Sequence, residues 1–200
     1  MLQFVAIAPS CITFFVNQCM ETKNFKDKKI IIRKLVSGDI NQPEKFQKFV
    51  NSFIPEDAML LINTKKSKKD ELEWLRNRIK EVSQHKAICL IAENNNKIVG
   101  TCTIVLHRER MNHIGGFGIA IKQGFRGIGL GNYLMQNIIE LAKKELKPSP
   151  KIIELEVFEC NAPAISLYKK MGFKSVAKIP NRMLYKGKLT TEIVMQLVWD

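Results

Sequence analysis

The sequence predicts a mixed α/β (α+β) fold built as one domain. Three observations carry the prediction. β-branched runs bounded by turn residues recur from Lys29 to Val198, apolar residues at helical spacing follow the first of these runs, and in the second half a strand twice passes into a helix. A chain of 200 residues supports one hydrophobic core better than two small ones. With 46% hydrophobic and 26% charged residues, it is composed like a globular protein rather than a disordered, collagenous or membrane chain. No apolar stretch is long enough to cross a bilayer.

Lys29–Leu35, with Ile30, Ile31 and Ile32 in succession, reads as a strand that Ser37-Gly38-Asp39 breaks. Phe46, Phe49, Val50 and Phe53 then recur at helical spacing, as do Leu72, Leu75, Ile79 and Val82 in a second helix from near Asp70. Ala87–Glu93 and Ile98–Leu106 form a hairpin across Asn94-Asn95-Asn96-Lys97, because asparagine tolerates the left-handed backbone of a tight turn. Gly116–Ile121 is a fourth strand, followed by a glycine-rich turn and a helix over 129–146 that Pro148 and Pro150 close. Ile152–Phe158 is a fifth strand, Ala162–Met171 a short helix ended by Gly172, and Phe173–Ile179 and Glu192–Val198 are the last strands. The domain is expected over 29–200. Residues 1–28 are read as an amino-terminal extension with no assigned role: Met1–Val16 is apolar but lacks the basic leader of an export signal, and Met20 offers a second start.

The formal charge of +13 draws anions without saying which, since nucleic acid, acidic lipid and a small polyphosphate all respond to such a field. Cys11, Cys19, Cys89, Cys102 and Cys160 form an odd set without a Cys-x-x-Cys pair, so neither a metal site nor a disulfide framework is expected. Cys89 and Cys102 lie inside apolar runs, which points to buried thiols and a cytoplasmic protein.

A local motif selects among the anions. In Gly118-Ile119-Ala120-Ile121-Lys122-Gln123-Gly124-Phe125-Arg126-Gly127-Ile128-Gly129-Leu130-Gly131 a strand enters a glycine turn that opens a helix. The first amides of a helix have no partner within it and carry the positive end of its dipole, while glycine lets a diphosphate approach the main chain. The Walker ending is absent and a Rossmann fingerprint fits poorly. Downstream, Leu155-Glu156-Val157-x-x-x-Asn161-x-x-Ala164-x-x-Leu167-Tyr168-x-x-x-Gly172-Phe173 sets a helix after the next strand, with Asn161 as N-cap ahead of Pro163 in the first turn.

Arg126-x-x-Gly129-x-Gly131 resembles the acyl-CoA pyrophosphate signature of the GNAT family of N-acetyltransferases, and the downstream stretch resembles that family's second motif in order and spacing. The resemblance spans about residues 30–198 and is motif-level from Ile119 to Phe173. It implies a central mixed, mostly antiparallel sheet flanked by helices, whose parallel fourth and fifth strands splay around the cofactor, with a β-bulge in the fourth helping to open the cleft. It also implies acetyl-CoA as cofactor, with Ile119, Ala120 and Ile121 pairing with the pantetheine amides. Arg126, Gly127, Ile128, Gly129, Leu130, Gly131 and Asn132 would hold the pyrophosphate, and Asn161 would touch the pantetheine or orient its helix.

The implied reaction is transfer of an acetyl group to an amine by direct attack in a ternary complex, with Tyr168 as proton donor to the leaving thiolate. Relatives often carry a carboxylate base on the fourth strand, where this chain reads Gly115-Gly116-Phe117-Gly118-Ile119. His113 is the first substitute, Glu156 and Glu159 the second, and a chain of water the third. The basic links His107–His113 and Asn181–Lys188 border the expected acceptor entrance, which favours an acceptor carrying carboxylate or phosphate, such as an amino acid or nucleotide sugar, over a polyamine and leaves a protein amino terminus or lysine open. Two other readings stand beside this one: a non-catalytic acyl-CoA sensor, and a basic nucleic-acid-binding protein that lacks any recognition-helix or RNA-binding signature.

Overall fold

The structure, a computed structural model, describes residues 19–199. It opens with β1 (Cys19–Phe25) and β2 (Lys28–Lys34), an antiparallel hairpin turned at Lys26, whose φ is +54°. The sheet therefore begins one strand earlier than the sequence reading, which set residues 1–28 outside the domain. Glu21, Thr22, Lys23 and Asn24 are all exposed on this edge strand, so it lacks the apolar alternation that marks a half-buried one. The expectation for residues 1–18 lies outside the described residues.

Helices α1 (Pro43–Asn51) and α2 (Lys68–Ser83) follow. Ser67 and Asp70 form a reciprocal capping box that satisfies two first-turn amides and fixes the start of α2. Strands β3 (Ala87–Asn94) and β4 (Lys97–Leu106) make the expected asparagine hairpin, with Asn95 and Asn96 at φ +49° and +58°. Next come β5 (Ile114–Ile121), α3 (Leu130–Glu145), β6 (Ile152–Phe158), α4 (Ala162–Lys170), β7 (Lys174–Tyr185) and β8 (Lys188–Val198). The last two strands run much further than their apolar cores suggested, and the stretch from Asn181, expected as a link between strands, is mostly strand. Its exposed residues Asn181, Arg182 and Leu184 hid it, and the register shift between Ile179 and Met183 marks the irregularity.

The eight strands form one sheet in the order β1-β2-β3-β4-β5-β6-β8-β7, antiparallel throughout except for the parallel pair β5–β6. Those two are the fourth and fifth strands of the sequence reading. Strand alternation divides the core between the two faces. On the first, Cys102, Ile104, Phe117, Ile153, Leu155 and Val157 pack against Leu130, Leu134 and Ile138 of α3 and Tyr168 of α4. On the second, Cys89, Ile91 and Ile98 pack against Phe46, Phe49 and Leu75 of α1 and α2. Helices α1 and α2 rest on β4 and β3. Beyond them Thr103, Val105, Gly116, Gly118, Glu154 and Glu156 lie half-buried or exposed on the same face.

Candidate active site

β5 and β6 are paired only from Ile114–Gly116 to Ile152–Glu154. Beyond Gly116, β5 stays on β4 up to Ile121, while β6 keeps its full ladder with β8, so the two parallel strands separate into a wedge. Gly115 pins the closed end. A Cβ there would lie 2.7 Å from Ile104 Cγ2 and 2.9 Å from Ile153 Cδ1, so only glycine lets the strands meet. The wedge owes nothing to a bulge in β5, contrary to expectation. The β4–β5 register is continuous, and the irregularity sits between β3 and β4, where Ala92 pairs with Gly100 but Glu93 with Ile98.

The turn between β5 and α3 lies at the open end. Gly127 and Gly129 have φ of +69° and +92°, and a Cβ on either would meet nothing within 4 Å, so the main chain stands bare. The amides from Arg126 to Asn132 find no acceptor among the described residues; the first helical amide to do so is that of Tyr133, which donates to Gly129. A row of unpaired N–H groups ahead of a 16-residue helix is a site for an anion. Arg126 itself is engaged. Its Nε donates to the Ile121 carbonyl at 2.6 Å, and its NH2 donates to Glu56 at 2.6 Å.

Tyr168 lines the first face of the wedge, where its ring meets Phe117 and Phe173 with centroids 6.1 Å away in each case. Burial pushes the phenol up to about 12, with a smaller contribution from Cys102. Among the described residues its hydroxyl has no hydrogen-bond partner, yet it is not one of the sealed, unpaired side-chain atoms, which belong to Arg78. Asn161 caps α4 by accepting from the Ala164 amide at 3.3 Å, and so sets the helix that carries Tyr168.

Residues 55–173, which hold the wedge, the amide turn and Tyr168, match the Acetyltransferase (GNAT) family. This chain belongs to the GNAT family. Over 86 residues it is 40% identical to the L-amino acid N-acetyltransferase AaaT of Escherichia coli (strain K12), covering 42% of this chain and 52% of that one. It is also 40% identical over 67 residues to an N-alpha-acetyltransferase of Sulfolobus acidocaldarius, covering 34% and 38% respectively. The chain thus spans about half the length of the first of these relatives and less of the second. Among solved structures it is similar to yncA from Salmonella typhimurium, determined with acetyl-CoA, at a TM-score of 0.71 and 19% identity over 86% of this chain and 94% of that one.

The remaining candidate residues of this GNAT domain are divided between the two ends of the wedge. His113 precedes β5 at the closed end, where its carbonyl accepts from the Lys151 and Ile152 amides at 2.8 and 3.2 Å. At about 3.3 Å per strand residue, it lies roughly 13 Å along the strand from Phe117, so the structure separates it from Tyr168. Sequence proximity to β5 suggested it, and the direction of the strand carries it away from the Phe117–Tyr168 contact. Glu156 stands on the second face, exposed. It lies beside Glu192, whose carboxyl is raised first by burial and then by the Glu156 charge. Glu159 lies outside this row, paired with Lys178 at 2.8 Å. Ile119, Ala120 and Ile121 form the β5 edge of the wedge past its last contact with β6.

Three further residues stand at the wedge and were not singled out from the sequence as candidate site residues. Glu56 reaches Arg126 from the loop after α1, and the same loop places Met59 Sδ 3.6 Å from Cys160 Sγ at the end of β6, so it straps the open end of the wedge. Glu192 faces the wedge because β8 lies beside β6. His107 continues the Thr103, Val105 parity of β4 and lies over Gly116, with Nε2 3.1 Å from where a Cβ would be. The parity was legible; the strap's path was not. Glu154, Glu156 and Glu192 also place carboxylates on this face, beside the positive entrance expected from the basic links His107–His113 and Asn181–Lys188.

Proposed function

We propose that this chain is an acetyl-CoA-dependent N-acetyltransferase, which passes the acetyl group to a primary amine by direct attack within a ternary complex. The observation that carries the reading is the row of unpaired amides from Arg126 to Asn132, at the mouth of a wedge whose wall holds Tyr168. The residues fit acetyl-CoA. A diphosphate accepts from the bare turn, and past Gly116 the β5 edge offers the main chain of Ile119 and the Ile121 amide to the pantetheine, while Ala120 turns its main chain to Thr101 of β4 and the Ile121 carbonyl accepts from Arg126. Gly131 brings α3 close, since a Cβ there would sit 3.2 Å from both Ile121 and Leu167.

Acetyl-CoA supplies the activated acyl carbon. Tyr168 remains a neutral phenol at physiological pH and donates to the departing sulfur. Burial makes it a reluctant acid, but a thiolate in the same groove is raised by the same loss of solvent, which keeps the pair matched. Asn161 holds α4 in place, and Glu156 faces the incoming cationic amine on the second face.

The acceptor we assign is an α-amino group, that of a free L-amino acid or of a protein amino terminus. The named relatives act, by their names, on an L-amino acid and at an N-alpha position, and the acidic second face suits an ammonium. The protein is assigned to the cytoplasm, consistent with the free, buried thiols of Cys89 and Cys102, both raised by burial. The test is thiol release from acetyl-CoA with L-amino acids, peptides with free amino termini, spermidine and an aminoglycoside. Turnover with the α-amines is expected. Saturable acetyl-CoA binding without turnover on any amine would replace this reading with that of a sensor.

A further inference from the structure

We infer that His107 is the base that takes the proton from the incoming amine, an assignment that rests on the acetyltransferase reading above. Phe117 points to the first face with Tyr168, so its neighbours Gly116 and Gly118 open on the second face. Gly116 is the last β5 residue paired with β6, opposite Glu154, and therefore marks the apex of the wedge. The His107 imidazole covers that apex: its Nε2 and Cδ2 lie 3.1 and 3.6 Å from a Cβ built on Gly116. Any side chain at Gly116 would displace the ring. The backbone holds it there, because the His107 amide donates to the Ile114 carbonyl at 2.9 Å and extends β4 by one residue.

The other titratable groups of this face are already occupied. Glu154 accepts from Gln196 Nε2 at 2.7 Å, and Glu192 is held between Glu156 and Arg182, whose Nε lies 3.8 Å away. No carboxylate stands on β5 from Gly115 to Ile119. An imidazole accepts and releases protons near neutrality, which is what a base for an ammonium group requires. With the thioester between the two faces, Tyr168 meets its sulfur from one side while His107 meets the amine from the other.

The step balances as follows. His107 Nε2 takes one proton from the ammonium, and the freed lone pair forms the C–N bond to the thioester carbon. The C–S bond breaks and Tyr168 protonates the thiolate. A second proton leaves the nitrogen through solvent to restore the phenol, and the imidazolium gives its proton to water, so one proton is released per acetyl group transferred.

The experiment compares the parent, His107→Ala and His113→Ala, with L-methionine and a peptide bearing a free amino-terminal serine as acceptors. His107→Ala is expected to lose about 100-fold in kcat with unchanged acetyl-CoA affinity, and added imidazole to restore part of the loss. His113→Ala is expected to match the parent. A His107→Ala enzyme as fast as an active parent overturns the assignment and leaves the acetyltransferase reading intact. Modification of His107 by diethyl pyrocarbonate, followed by peptide mass, needs no acceptor: acetyl-CoA should protect it, and bound acetyl-CoA that gives no protection also overturns the assignment. A parent that binds acetyl-CoA yet acetylates neither probe counts against the enzyme reading itself, and the base role falls with it.

Discussion

The Tyr168 ring meets Phe117 edge-on, with centroids 6.1 Å apart and planes at 84°. The contact joins α4 to β5 at the point where β5 leaves β6, so the phenol is fixed by packing beside the widening groove. Packing and chemistry are separable here because phenylalanine keeps the ring and removes only the hydroxyl.

Tyr168→Phe is therefore expected to fold with a melting temperature close to that of the parent and to bind acetyl-CoA equally well. Its kcat should fall by about 100-fold, the usual size of a lost general acid. Steady-state kinetics alongside calorimetric CoA binding reads the split, and an unchanged kcat removes Tyr168 from the mechanism.

Glu56 holds the Arg126 guanidinium at 2.6 Å, and in the proposed complex it would compete with the diphosphate for it. Both partners are partly solvated, so the ion pair itself contributes little to stability. Glu56→Gln should tighten CoA binding by roughly threefold to tenfold, on the scale of 1 kcal/mol for one charge contact. Arg126→Ala should weaken binding by a similar factor. Isothermal titration with CoA checks both, and weaker binding by Glu56→Gln would give the strap a different role.

At the closed end, Gly115→Ala forces a methyl group to within 3 Å of Ile104 and Ile153. Overpacking of this kind costs about 1–3 kcal/mol, and it falls on the three residue pairs that hold β5 to β6. A lower denaturation midpoint is expected in urea, together with weaker CoA binding. Gly124→Ala, where a Cβ meets nothing but φ is +83°, separates backbone strain from the steric clash.

Glu192 is buried at 4% exposure and titrates higher in the folded chain than in the unfolded one. The folded state binds more protons across that interval, so stability falls as pH rises through it. At neutral pH the ionised carboxylate carries the full cost, and below the carboxylate range it carries none. Glu192→Gln should accordingly raise the melting temperature at pH 7. The gain should shrink on acidification, and thermal melts across pH 4–8 would read it.

Much of the candidate site's local structure was legible because its parts are close in sequence. The glycine turn, the unpaired first turn of α3 and the Asn161 cap each follow from residues a few positions apart, where backbone geometry and capping chemistry act without tertiary help. Strand β1 was missed for the opposite reason: its polar, exposed residues form a strand only because β2 offers an edge. His113 and His107 bracket the same link, and sequence spacing alone favoured the residue nearer the strand.

By itself the sequence determined the kinds of element, their order, and the family to which the two motifs belong. Tertiary structure decided which side chains share the wedge. The insertion of β8 between β6 and β7 brings Glu192 beside Glu156, the loop after α1 carries Glu56 to Arg126, and the direction of β5 sends His113 to the closed end while His107 covers Gly116. Helix caps and turns are set by neighbours along the chain. These pairings are set by strand order and by which face each residue takes, and no short stretch of sequence contains that information.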